Sequence, residues 1–168
     1  MFCDRGGAVV ESRKRGMRMQ DRYLFRGKRL DNGEWVYGNL IRSNDSEVGY
    51  EAIIIPTNDS NMYTKGGSIG DLGFENWHRV NETTICQCTG LKCKNGNLIW
   101  ENDIVAYWDS YSTESGLAEA DCIGKVVWDD ETISFQVTNR LSAESYEVLC
   151  DECSAIGNVF DNPELLEV

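Results

Sequence analysis

The stretches between turn signals in this chain are short, and within them apolar and polar residues mix or alternate. That pattern leaves no room for a long helix and points to strands. Arg22-Tyr23-Leu24-Phe25-Arg26-Gly27-Lys28 has the mixed apolar and charged character of a half-buried strand. Glu34 to Ile41 returns as a second strand, rich in aromatic and β-branched residues. Between them, Asp31-Asn32-Gly33 is a tight-turn signal, because Asn and Gly accept the positive φ that hairpins need. Ala52 to Ile55 reads as a short buried strand ending at Pro56, which has no N–H to donate to a ladder. Further strands are expected over Val80 to Cys88, Leu98 to Trp100, Asp103 to Trp108, Cys122 to Trp128, Ile133 to Val137 and Ala155 to Phe160. Asn95-Gly96 and Asp129-Asp130-Glu131 supply turns, and Ser145 to Cys150 fits either strand or helix. Asn58 to Asn76 reads as a polar, Gly-rich excursion and Asp109 to Ala120 as a polar loop. Asn162-Pro163 opens a helical turn, with Pro in the first-turn position. Strands at this spacing give an all-β fold of sandwich or barrel type. The part from about Asn102 to Phe160 reads as a small bent barrel with glycines at the bends.

Charge divides the 168 residues into three parts. Residues 1–20 carry five basic and two acidic side chains, and residues 21–100 carry nine and ten. Residues 101–168 carry only Lys125 and Arg140 against sixteen carboxylates. A net charge of −12 is the wrong sign for a general nucleic-acid binder, which displaces counterions from phosphates with excess cation. The first 20 residues have no hydrophobic period and read as a disordered basic tail. One use for such a tail is a basic arm for DNA or RNA. A simpler account is a start codon assigned too far upstream, since Met17 and Met19 directly precede the first strand-like residues. The expected organisation is thus a tail over 1–20, an N-terminal β subdomain over 21–100 and an acidic barrel subdomain over 101–168. No apolar run approaches the roughly 20 residues of a bilayer span. The opening residues also lack the apolar stretch of a secretory leader, so the expected location is the cytoplasm, with no membrane partner.

A cytoplasmic location decides how the seven cysteines are read. Thiols stay reduced there, so a disulfide framework is not expected. Cys150-x-x-Cys153 can form half of a zinc site, with Cys86-x-Cys88 or Cys93 as the other half. The spacing is weaker than two true C-x-x-C knuckles, and reduced cysteines serving as small core hydrophobes are the preferred reading. No cofactor is expected.

Nothing in the sequence assembles a catalytic constellation. His78 is the sole imidazole, in a loop-like approach to a strand, and reads as a surface or interface residue. Glu101 and Asp103 have a spacing that can place two carboxylates on one strand face for a cation or for acid–base work. The plainer reading makes Asp103 a turn acid that accepts backbone N–H groups. Gly66-Gly67-Ser68-Ile69-Gly70 lacks the Lys-Ser/Thr and the helix of a phosphate loop. The densest basic patch is Arg26, Lys28 and Arg29, interleaved with Trp35 and Tyr37, a combination that can bind single-stranded nucleic acid. The same aromatics can equally face a core. The same cations can pair with the acidic part of the chain, within one subunit or between subunits, and that use is preferred.

Three stretches carry a resemblance over nearly the whole chain, RYLFRGKRLDNGEWVYGNL, CTGLKCKNGNLIWENDIV and IGNVFDNPELL. They are similar to the F-R-G-K hairpin, the central T-G-L block and the closing I-G-N-x-x-x-N-P-E-L-L of the YopX family, small proteins encoded by phages and prophages. Cys88 stands where the family has an aromatic, Cys93 where it has Asp, Trp100 where it has Tyr and Asn102 where it has Gly. The cysteines therefore replace ordinary residues, which weakens the zinc reading further. The resemblance implies an all-β, antiparallel, self-associating protein with little helix and a small SH3-like barrel in its C-terminal half, and it implies no enzymatic activity. The function expected is a non-enzymatic accessory protein that binds itself and a host or phage protein. Two alternatives stand beside it: an acidic nucleic-acid mimic, and nucleic-acid binding through the Arg26–Arg29 hairpin.

Overall fold

The computed structural model describes residues 21–43, 52–57, 62–64, 72–113, 116–139, 145–147 and 153–167. The basic tail, the Gly66–Gly70 stretch and Cys150 lie outside them. The described residues are built almost wholly of antiparallel strands, with no helix of seven residues or more. Only three-residue and four-residue 3-10 turns interrupt them, at Asp21–Tyr23, Glu82–Thr84 and Pro163–Leu166.

The first sheet has six strands. They are β1 (Phe25–Lys28), β2 (Trp35–Arg42), β3 (Ala52–Pro56), β6 (His78–Arg79), β7 (Cys86–Lys92) and β8 (Leu98–Trp100), in the order β6-β3-β2-β1-β7-β8. β4 (Met62–Thr64) and β5 (Leu72–Phe74) pair with each other as a separate hairpin inside the Gly-rich excursion. The second sheet has five strands. They are β9 (Asp103–Thr113), β10 (Gly116–Asp129), β11 (Ser134–Asn139), β12 (Ser145–Glu147) and β13 (Ser154–Asn158), in the order β12-β11-β10-β9-β13.

The β1–β2 hairpin forms where its turn chemistry predicts. Gly33 has φ +74°, open only cheaply to glycine, and the Asn32 side chain accepts the Glu34 N–H at 3.0 Å. Two expectations change. The stretch from Asp109 to Ala120 is not a loop, because β9 and β10 pair without a break from Lys125↔Ile104 to Gly116↔Thr113. Val80 to Cys88 is not one strand, because a 3-10 turn capped by the Asn81 side chain separates the Val80 bridge from β7.

Burial is organised in three clusters. Val36, Ala52, Ile54 and Val80 pack on the first sheet. Ile99, Val105, Tyr107, Val126 and Val137 pack with Cys93, Cys122 and Cys153 on the second. The third joins Cys86, Cys88 and Trp100 to the partly buried Leu24, Trp35 and Phe160, so it draws on both ends of the chain.

Candidate functional site

Strand alternation explains why the hairpin residues end up together. The β1–β2 register pairs Arg26 with Tyr37 and Lys28 with Trp35. Side chains two apart share a face, so all four stand on one side of the sheet. Arg26 is also paired with Cys86 of β7, and Cys88 with Trp100 of β8, which extends this face across four strands. While Arg29 follows β1 and bridges to Val80, four of the five residues singled out as a basic-aromatic patch therefore share one face, much of it covered.

Arg26 lies at its centre and is 6% exposed. Its guanidinium donates to Asp103 Oδ1 at 2.6 Å and to the Glu101 carbonyl at 3.4 Å. It sits 4.7 Å from the Trp35 ring centroid and 5.6 Å from that of Trp100. A guanidinium is weakly hydrated and planar, so it tolerates this aromatic sandwich where an ammonium would not. Asp103 Oδ2 accepts the Trp100 N–H at 2.9 Å, the turn role the sequence suggested. Burial pushes the Asp103 carboxyl above its ordinary range, and the Arg26 charge opposes that shift. Around this centre the Tyr37 and Trp100 rings stand 5.4 Å apart and the Trp35 and Phe160 rings 5.8 Å apart, both tilted.

The closing motif locks onto the same place. Asn158 Oδ1 accepts the N–H groups of Phe160 and Asp161, folding the chain into a turn that aims Asp161 at the hairpin. Asp161 pairs with the Lys28 ammonium and accepts the Trp35 indole N–H at 2.7 Å and the Asn158 amide at 2.9 Å. Led by the Lys28 contact, these donors hold its carboxyl down at about 2. Residues from all three motif stretches thus meet within one cluster: Arg26, Lys28 and Trp35; Trp100 and Asp103; Asn158 and Asp161.

Of the hairpin cations, Arg26 and Lys28 are paired with carboxylates of residues 101–168, and Arg29 with the nearby Asp31 at 2.6 Å. The preferred use of these cations, pairing with the acidic part, is realised within one chain for two of the three. Binding a single strand through Arg26 would need its guanidinium to leave a buried ion pair with Asp103. Tyr37 stays 46% exposed and Trp35 half-buried.

Glu101 and Asp103 do not form a paired-acid site. Glu101 lies in the turn after β8, while Asp103 is spent on Arg26. Asn102 between them has φ +64°, and glycine at the family position explains itself by that angle. Its backbone ties the seam, accepting from Val159 N at 3.0 Å and donating to the Val126 carbonyl at 2.8 Å.

The described cysteines are free thiols, and all five are buried. Cys93 and Cys153, one from each proposed zinc half, share the core against the second sheet, whereas Cys86 and Cys88 belong to the third cluster, and Cys150 lies outside the described residues. Among the described residues no group of three or more His, Cys, Asp and Glu side chains is placed to share a metal ion. Burial pushes the Cys86 and Cys88 thiols up. His78 lies on β6 beside a hollow of about 400 Å³ formed with Leu30, Asp31, Trp77 and Arg79, and none of these is a nucleophilic thiol. Burial, with the Arg29 charge, lowers its imidazole pKa. No helix of the described residues is long and apolar enough to cross a membrane.

What sequence reasoning missed is a second hollow of about 510 Å³, between Arg22, Gln87, Thr89 and Glu101 on one side and Trp128, Ile133 and Phe135 on the other. It draws on both sheets, through β7 on one side and β10 and β11 on the other, and only the apolar Ile133 beside an acidic turn hinted at it.

No curated protein matches the chain. Among solved structures it is similar to the crystal structure of protein EF1440 from Enterococcus faecalis, with 26% identity and a TM-score of 0.50. That match covers 84% of this chain and 96% of that one. Apart from Arg22 and Tyr23, the three motif stretches that meet at Arg26 fall within residues 24–167, over which the YopX protein family matches, and the chain belongs to that family.

Proposed function

We propose that this chain is a phage- or prophage-encoded accessory protein without enzymatic chemistry, an all-β interaction module of the bacterial cytoplasm that associates with itself and with a host or phage protein. Family membership supports an accessory role. The observation that carries the reading is the contrast between inside and outside. The groups with chemical capacity, Arg26, Asp103 and the described thiols, are buried, and Arg26 and Asp103 are committed to each other. Large apolar side chains are instead left outside, among them Trp108 at 52% and Ile133 at 74% exposure. Aromatic side chains such as Trp108 are enriched at association surfaces relative to the rest of a protein's exterior. Size-exclusion chromatography with light scattering tests the reading at low and high salt. The expected mass is a multiple of the 19.0 kDa chain, and a monomer under every condition overturns self-association.

The exposed carboxylates Asp121, Asp130, Glu131, Glu164 and Glu167 favour a second reading, an acidic mimic of nucleic acid that occupies a basic host protein. A pull-down from host lysate that enriches no DNA-binding protein overturns it.

A further inference from the structure

Ile133 stands where an isoleucine is expensive on two counts. Its φ is +54°, a left-handed conformation that crowds a β-branched side chain against the backbone. Its side chain, 74% exposed, recovers nothing by burial within the chain. It projects from the turn between β10 and β11, at the lip of the 510 Å³ hollow. Behind it Trp128 is held in place by donating its indole N–H to Asp130 at 2.8 Å and by an edge contact to Phe135 at 5.1 Å. The charges around the hollow, Arg22 over the Tyr23 ring and Asp130 on the Trp128 indole, are not neutralised by an opposite charge among the described residues. Arg22, exposed on one wall, makes no ion pair among the described residues, and neither do Asp130 and Glu131, exposed on the β10–β11 turn beside the other.

We propose that this face is a two-fold contact with a second copy of the chain. A closed dimer uses the same patch on both subunits, so the patch must complement itself. This one carries a projecting apolar knob next to a hollow, and on the wall opposite unpaired carboxylates it carries the unpaired Arg22, beside Glu101 whose carboxylate accepts the Gln87 backbone N–H at 3.4 Å. Turned about a two-fold axis, each copy's Ile133 seats in the other's hollow, and each copy's Arg22 meets the other's Asp130 and Glu131. The inference rests on the self-association proposed above and goes further by naming the surface.

The test is sedentation-based mass measurement of the full chain and three variants by analytical ultracentrifugation. The parent is expected at twice its 19.0 kDa. Ile133→Gly relieves the left-handed strain, so it is expected to keep its fold and to weaken the dimer by about tenfold or more. Arg22→Glu and the double variant Asp130→Lys/Glu131→Lys each place like charges across both halves of the contact and are expected to be monomers. Mixed together, these two variants recover opposite charges at both positions and are expected to form a heterodimer. A parent that self-associates while Ile133→Gly associates equally well, or while the mixture stays monomeric, overturns this surface and leaves self-association standing. A parent that is monomeric throughout overturns both. Hydrogen exchange protection of the β10–β11 turn that is unchanged on dilution to monomer shows that the turn is not covered by the second copy, and also overturns this surface.

Discussion

Replacing Asp103 by Asn removes one charge from the seam and almost nothing else. The side chains of Arg26 and Asp103 are 7% and 5% exposed, and their contact is 2.6 Å. Asn keeps the size and an oxygen for the Trp100 N–H, but it leaves a guanidinium buried between two indoles with no counterion. Breaking a buried pair in this way costs about 3–5 kcal/mol, a large share of the roughly 5–15 kcal/mol that holds a domain folded. Arg26→Met is not its mirror image. The Asp103 carboxyl, already pushed up by burial, escapes its isolation by taking a proton. That variant is expected to lose less stability, and the loss depends on pH. The folded-state pKa of Asp103 then lies above the unfolded one, so stability is fullest below the unfolded value and falls as pH rises through the folded value. The double variant Arg26→Met/Asp103→Asn buries no charge and is expected to be about 2 kcal/mol or more better than the sum of the singles. Urea unfolding followed by tryptophan fluorescence measures all four proteins. The reasoning is refuted if Asp103→Asn costs under about 1 kcal/mol, or if the double variant equals the sum of the singles.

Acid tests the other ion pair. The Asp161 carboxyl is held at about 2 in the fold, so its contribution is complete above the ordinary carboxylate range and lost as pH falls from about 4 to about 2. The group is partly exposed, so the effect is modest, and urea midpoints across that range should show Asp161→Asn with a flatter acid limb than the parent. At Asn102, Gly is expected to leave stability near that of the parent, while Val costs about 1–2 kcal/mol because its Cβ branch cannot accept a φ of +64° cheaply; thermal unfolding reads both. Cys86 and Cys88, buried and with raised pKa values, are expected to resist iodoacetamide at neutral pH until denaturant opens the seam, as peptide mass spectrometry would record. Rapid labelling of either in the native protein contradicts the burial.

Local chemistry made much of the fold legible. The β1–β2 turn, the end of β3 at Pro56 and the Pro163 turn all follow from what Asn, Gly and Pro can do to a backbone. The outer part of the β9–β10 hairpin escaped, because polar residues on an extended arm look like a loop when periodicity is the guide, although backbone pairing needs no apolar face. The candidate site was half legible. Alternation placed Arg26, Lys28, Trp35 and Tyr37 on one face, yet could not say what covers it. The answer lies 77 residues away for Arg26 and 133 for Lys28, a separation no local pattern encodes. The excess of carboxylates beyond residue 100 was the one signal that pointed to it.

That same separation has a consequence for how a newly made copy matures. As synthesis proceeds at roughly 5–20 residues per second, the hairpin leaves the ribosome on the order of ten seconds before Asp161 exists to receive Lys28 and the Trp35 indole. Until then Lys28 and the Trp35 indole lack the carboxylate that receives both of them in the finished fold. Translation halted before the closing motif would release a chain in which Lys28 and the Trp35 indole are still without Asp161, although Arg26 already has Asp103.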